Sequence, residues 1–183
     1  MNIYLTSYGL DTRYKDYMDS YEDIINVLKN KSVAIIPNAK LISQDRTNSN
    51  IIQEELIKNN IKCKIIDLDK DNLNIEEYDA LYLSGGEPKN LMDSINNSNN
   101  YEVIKEFIDN GGIIIGQSAG AMIFNKEYLD TTTGNLLIMA NGFDYYNRII
   151  VPHYNNLPIE LLYKVPDNIL KINDNDKLYK LDI

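Results

Sequence analysis

Ser118 stands between two glycines in I-I-I-G-Q-S-A-G-A-M-I-F, the stretch from Ile113 to Phe124. A run of branched apolar residues that meets Gly116, Ser118 and Gly120 and then turns small and apolar again predicts a nucleophile elbow. In that device a buried strand stops, one residue is held on a sharp turn, and a helix begins at once. The serine hydroxyl would project above the carboxyl edge of a sheet, and the Ala119 amide, at the start of the helix, would face negative charge growing on a bound carbonyl oxygen. The chemistry is acyl transfer, and it needs a base. His153 is the one histidine of the chain and follows Pro152 at the end of a strand-like I-I-V-P. An open α/β sheet carries its ligands at that edge, and a serine needs such an imidazole to act as a nucleophile near neutral pH.

A third group must orient the imidazole and stabilise its charged form. Asp130 and Asp144 lie between serine and histidine, and Glu160, Asp167, Asp174 and Asp176 lie after it. The residues leave these alternatives open. Asp167 is the best placed, because V-P-D-N repeats the strand-end proline pattern of V-P-H-Y.

The elements that must position these groups follow from the pattern of the chain. Asn2 to Ser7, Ser32 to Pro37, Ile61 to Leu68, Ala80 to Ser84 and the elbow strand are apolar runs bounded by turn residues. Between them, Tyr14 to Leu28, Ile51 to Asn59, Pro88 to Ile95 and Tyr101 to Asn110 have helical spacing. Such alternation predicts a mostly parallel sheet with helices on both faces. Gly85 and Gly86 end the fourth strand just before Pro88, an arrangement that turns backbone amides toward a site. Beyond Phe124 the pattern changes to a polar, Thr-rich stretch, the strand that ends at His153, and three short segments, Leu161 to Val165, Ile169 to Ile172 and Leu178 to Leu181, read as small strands or turns.

Composition narrows the function. With 183 residues the expectation is one domain, and 44% hydrophobic with 25% charged residues is ordinary for a globular protein. A net charge of −9 argues against nucleic acid and anionic membrane as partners. No apolar run is long enough to span a bilayer and the N-terminus lacks the form of a secretory signal, so the expected location is the cytoplasm. Cys63 is the single cysteine, which rules out an intrachain disulfide and leaves a cysteine-based zinc site unsupported. Neither a metal nor a nucleotide cofactor is indicated by any spacing of ligands or glycines. A homodimer is the commonest assembly for a chain of this kind.

Four motifs together, Y-L-S-G-G-E-P-K-N-L-M (Tyr82 to Met92), I-G-Q-S-A-G-A (Ile115 to Ala121), V-P-H-Y (Val151 to Tyr154) and V-P-D-N (Val165 to Asn168), resemble the peptidase E family of serine peptidases. That family groups aspartyl dipeptidases with cyanophycinases on a flavodoxin-like, class I glutamine amidotransferase-like fold, a three-layer α/β/α sandwich. The resemblance implies Ser118 as nucleophile, His153 as general base and acid, Gly86 and Ala119 as donors of the oxyanion amides, and Asp167 as the acid that orients His153, with Asp130, a short way after the elbow helix, as runner-up. It implies short peptides as substrates and no cofactor. Where the dipeptidases show G-G-N-T-F, this chain has Gly85, Gly86, Glu87, Pro88 and Lys89, and it lacks their arginine-bearing insertion between the histidine and the acid. A non-catalytic amidotransferase-like module and a small-molecule esterase are the alternatives, and the serine in place of a cysteine at the elbow argues against glutamine amidotransfer.

Overall fold

A computed structural model describes residues 1–41, 46–130 and 137–182, without the side chains of Asp130 and Leu137. In chain order the elements are β1 (Asn2–Thr6), α1 (Tyr21–Leu28), β2 (Ser32–Ile36), α2 (Thr47–Lys58), β3 (Lys62–Ile65), β4 (Ala80–Leu83), α3 (Pro88–Asn97), α4 (Tyr101–Asp109), β5 (Ile113–Gln117) and α5 (Ala119–Met122). They are followed by β6 (Tyr128–Asp130), β7 (Leu137–Met139), β8 (Ile149–Val151), α6 (Ile159–Leu162), β9 (Ile169–Lys171) and β10 (Tyr179–Lys180).

The main sheet has six strands in the order β10-β1-β5-β4-β2-β3, parallel except for the antiparallel edge strand β10. Alternate residues of its inner strands serve two cores, as the twofold periodicity of a strand dictates. Val33, Ile35, Ala80, Tyr82 and Ile115 pack with Ile24 and Leu28 of α1 and Ile52 and Leu56 of α2. On the other face Ala34, Ile36, Leu81, Leu83 and Ile114 meet Leu91 and Ile95 of α3, Ile104 and Ile108 of α4, and α5. This is the three-layer sandwich expected from the alternation of strands and helices.

Each of the first four helices stops on a residue in the left-handed conformation: Asn30, Asn60, Asn99 and Gly111, with φ of 60°, 57°, 58° and 85°. Asparagine tolerates that conformation better than most side chains, so the chain leaves each helix at a defined point, into the sheet after α1, α2 and α4 and into α4 after α3.

The structure departs from the sequence expectations in three places. The helix starting at Tyr14 is split into a short 3-10 turn, Lys15–Tyr17, and α1. The cause is aromatic: Tyr8 lies between Tyr14 and Tyr17, with ring centroids 4.2 and 5.1 Å away, and the tyrosines turn toward it rather than along one helix face. Leu161 to Val165, read as a small strand or turn, begins in the last two residues of α6 and continues as a turn. Finally β8 and β9 form a separate parallel pair, in register Ile149 to Ile169 and Val151 to Lys171, instead of extending the main sheet. No described helix is long and apolar enough to cross a membrane.

Candidate active site

The carboxyl ends of β1, β2, β4 and β5 open on one rim, and Ser7, the Gly85–Gly86 loop and Ser118 stand where the chain leaves it. At the end of β5, Ser118 adopts φ 49° and ψ −110°, a conformation that costs a non-glycine residue on the order of 1–3 kcal/mol. Its amide donates to the Thr6 carbonyl at 2.9 Å, and its carbonyl accepts from Ala121 and Met122. The flanking glycines make the bend feasible. A Cβ at Gly116 would come within 2.6 Å of the Gly120 carbonyl oxygen, and one at Gly120 would run into the Leu83 carbonyl of the neighbouring strand. The serine is therefore pinned by packing on both sides.

His153 closes on it from the other sheet. Its Nε2 is 3.1 Å from Ser118 Oγ, and its Nδ1 is 2.5 Å from Asp174 Oδ1. The histidine is also left-handed, at φ 56°, and its amide donates to Ser7 Oγ at 3.0 Å, while the Ser7 hydroxyl reaches the Ile172 and Asn173 carbonyls at 3.2 Å. Ser7 thus joins the end of β1 to the ends of β8 and β9. Asp174 has a fully covered side chain, and its second oxygen accepts from the Asn156 side-chain amide. Its own backbone amide donates to Asn155 Oδ1 at 2.9 Å, so the carboxylate is fixed by the two residues that follow the histidine loop.

The acid on His153 is therefore Asp174, and Asp167, the sequence choice, is exposed and takes no part in the His153 contact. The reason is strand direction. Because β8 and β9 are parallel, their carboxyl ends lie together, which brings His153, two residues past Val151, beside Asp174, three past Lys171. Asp167 precedes β9 and sits at its amino end. Proline marks the start of that strand rather than its finish. The side chain of Asp130, the other candidate, lies outside the described residues. Asp174 had a signal in the I-N-D-N-D after the strand, but only the pairing of β8 with β9 separates it from Asp167 and Asp176. Ser7, Asn155 and Asn156 carried none beyond the turn-forming character of S-Y-G and H-Y-N-N.

Gly86 and Ala119 flank the serine. Neither amide donates to another described residue, and Gly85 lies close enough that a Cβ there would sit 3.3 Å from Ser118 Cβ. Gly86 needs its missing side chain: at φ 156° it passes against the Ala39 backbone, which would collide with a Cβ. The next amide, Glu87, donates to the Ala39 carbonyl at 2.7 Å, and the Gly85 carbonyl accepts from Asn48 Nδ2 at 2.9 Å. Both bonds hold the glycine loop at a fixed height beside the serine.

Above these groups lies a cleft of about 150 Å³ bordered by Ser118, His153, Gly86, Tyr8, Arg13 and Lys40. Tyr8 packs edge-on against the His153 ring at 4.6 Å, and burial first, then the nearby Asp174 charge, raises its phenol above the ordinary value. A wider depression of about 720 Å³ opens at the opposite edge of the sheet, beside Asn2, Asp79 and Ile113, remote from the serine. Among the described residues no group of three or more His, Cys, Asp or Glu side chains is arranged to hold a metal ion. Cys63 is half-buried far along β3, and burial pushes its thiol up.

The model of Peptidase family S51 matches residues 3–181. The chain belongs to that family. By that membership it is a serine peptidase, in keeping with a serine at the elbow. It is 25% identical to the uncharacterized peptidase PM1590 of Pasteurella multocida (strain Pm70) over 86% of this chain and 82% of that protein. It is 26% identical to the uncharacterized peptidase Lmo0363 of Listeria monocytogenes over 87% of this chain and 80% of that one. In fold it is similar to a Listeria monocytogenes EGD-e protein whose crystal structure carries the name peptidase E, with a TM-score of 0.70, 20% identity, and 99% and 98% of the two chains covered.

Proposed function

We propose that this S51 peptidase hydrolyses short peptides, as a dipeptidase, through an acyl-enzyme on Ser118. The observation that carries the reading is the unbroken relay Ser118 Oγ, His153 Nε2, His153 Nδ1, Asp174 Oδ1, with separations of 3.1 and 2.5 Å. Asp174 accepts a hydrogen bond from Nδ1–H, which keeps the ring proton on Nδ1 and leaves Nε2 free to act as a base. As Ser118 Oγ bonds to the substrate carbonyl carbon, its proton passes to Nε2, and the carbonyl oxygen becomes an anion held by the Gly86 and Ala119 amides. Collapse breaks the C–N bond, and the departing amine takes the proton from Nε2. A water molecule then gives its proton to Nε2, attacks the ester, and the proton returns to Ser118 Oγ as the carboxylic acid leaves.

Cleft size supports short substrates, since about 150 Å³ is smaller than an ordinary ligand pocket of roughly 300–1,000 Å³ and admits no folded chain. Glu87, whose carboxylate would oppose an oxyanion, does not border the cleft among the described residues. A cytoplasmic setting fits a chain whose lone thiol, Cys63, forms no disulfide. The test is a neutral fluorophosphonate probe together with a dipeptide panel. Wild-type protein is expected to be labelled at Ser118 and to cleave dipeptides, and Ser118→Ala to do neither while keeping its melting temperature. Labelling or turnover that survives in Ser118→Ala overturns the proposal.

A further inference from the structure

The charged groups that border the cleft are not equivalent. Asp11 and Arg13 satisfy each other, with Arg13 Nε 2.8 Å from one carboxylate oxygen and Nη2 2.6 Å from the second. Asp174 does not line the cleft and is taken up by His153 and Asn156 behind the ring. Lys40 remains. It borders the same cleft, and its ammonium has no hydrogen-bond or ion-pair partner among the described residues. An ammonium offers three donors and no acceptor, so it calls for an anion.

The backbone that carries it is held in place. The Lys40 amide donates to Pro37, and its carbonyl accepts from Arg46 Nε at 3.0 Å and Nη2 at 2.8 Å. Arg46 is in turn anchored on Asp67 at 2.7 Å, and Asp67 takes Asn38 Nδ2 at 2.9 Å. The Ala39 carbonyl, one residue earlier, holds the Glu87 amide of the glycine loop. The Lys40 stem runs beside Gly86 itself, with its Cγ 2.9 Å from where a Cβ of that glycine would be. One short segment therefore fixes both the glycine beside Ser118 and a cation next to it.

We infer that Lys40 is a specificity-determining residue that receives a carboxylate of the substrate, carried on a short peptide within reach of the scissile carbonyl. The inference rests on the serine reading given above. In a dipeptide two groups meet the requirement, the C-terminal carboxylate and the side chain of an acidic residue, because each lies roughly 3–4 Å along the chain from the scissile carbonyl carbon. The overall charge of −9 repels anions from this surface, so a local cation at the cleft does more than general attraction would.

The experiment measures binding in the non-hydrolysing Ser118→Ala background, using Ala-Ala, Ala-Ala amide and Asp-Ala amide. Ala-Ala carries only the terminal carboxylate, Asp-Ala amide only the side-chain one, and Ala-Ala amide neither. With Lys40 present, at least one carboxylate-bearing probe is expected to bind tenfold or more tightly than Ala-Ala amide, and the probe that does so identifies the source. Adding Lys40→Met is expected to abolish this preference, and Lys40→Arg to retain most of it. Equal binding of all three probes, or a preference that survives Lys40→Met, overturns the inference. Fluorophosphonate labelling of the wild-type protein reports on Ser118 independently, so an unlabelled serine with an intact carboxylate preference would sink the serine reading alone.

Discussion

Asp174→Asn isolates the claim that a carboxylate holds the base in its working tautomer. The side chain is fully covered, one oxygen is 2.5 Å from His153 Nδ1, and the other accepts a hydrogen bond from the Asn156 side-chain amide. A carboxylate can accept from both donors at once. An amide of the same shape has one oxygen and one NH2, so it must oppose a donor with a donor on one side or the other. If the NH2 meets the imidazole, the ring is driven to the tautomer with its proton on Nε2, which cannot accept from Ser118. If it meets Asn156 instead, a buried donor pair is left in conflict and the imidazolium formed during attack loses its counter-charge. Either outcome is expected to lower kcat by about 10³- to 10⁴-fold, which is roughly 4 to 5.5 kcal/mol of barrier. The assay is steady-state dipeptide hydrolysis, backed by the second-order rate of fluorophosphonate labelling and by a thermal melt. Asp167→Asn, run in parallel, is expected to stay within about threefold of the parent, as for a surface change remote from the reaction. Activity of Asp174→Asn within tenfold of the parent, or an equal fall in Asp167→Asn, would refute the reasoning.

Gly86→Ala places a methyl group against the Ala39 backbone and must displace the amide beside Ser118. Loss of one such donor is worth about 3 kcal/mol, so labelling and turnover should fall by about 10²-fold or more, and an unchanged rate would remove Gly86 from the oxyanion site. Asp67 links stability to pH. Burial alone would push its carboxyl up, but the bonds from Asn38, Arg46 and the Asp69 amide outweigh that and hold it below the ordinary carboxylate value. A folded-state value below the unfolded one means that the stabilisation is complete above the unfolded value and vanishes as pH falls through the folded one. The melting temperature of Asp67→Asn should therefore lie below that of the parent at neutral pH, with the gap closing below about pH 4. A gap independent of pH would show that the Asp67 charge contributes nothing.

The parallel sheet and its helices were legible because their signals are local. Branched apolar runs and amphipathic spacing each declare themselves within about ten residues. Ser118 was legible for the same reason, since Gly116 and Gly120 are needed by steric contacts at that turn. His153 stood out through scarcity. The acid did not, because its identity depends on which strand lies next to β8 and in which direction it runs. V-P-D-N and V-P-H-Y look alike as strings, yet one proline opens a strand and the other follows one. Tyr8 misled the sequence reading in a similar way, because its stacking with Tyr14 and Tyr17 breaks a helix that periodicity favoured.

The hydroxyl belongs to the large sheet, whereas the imidazole and its carboxylate ride together on the ends of β8 and β9. The side chain of Ser7 is one tie between that pair and β1. On the proposed mechanism the base is assembled on one platform and the nucleophile on another, so their meeting depends on the registry of the two.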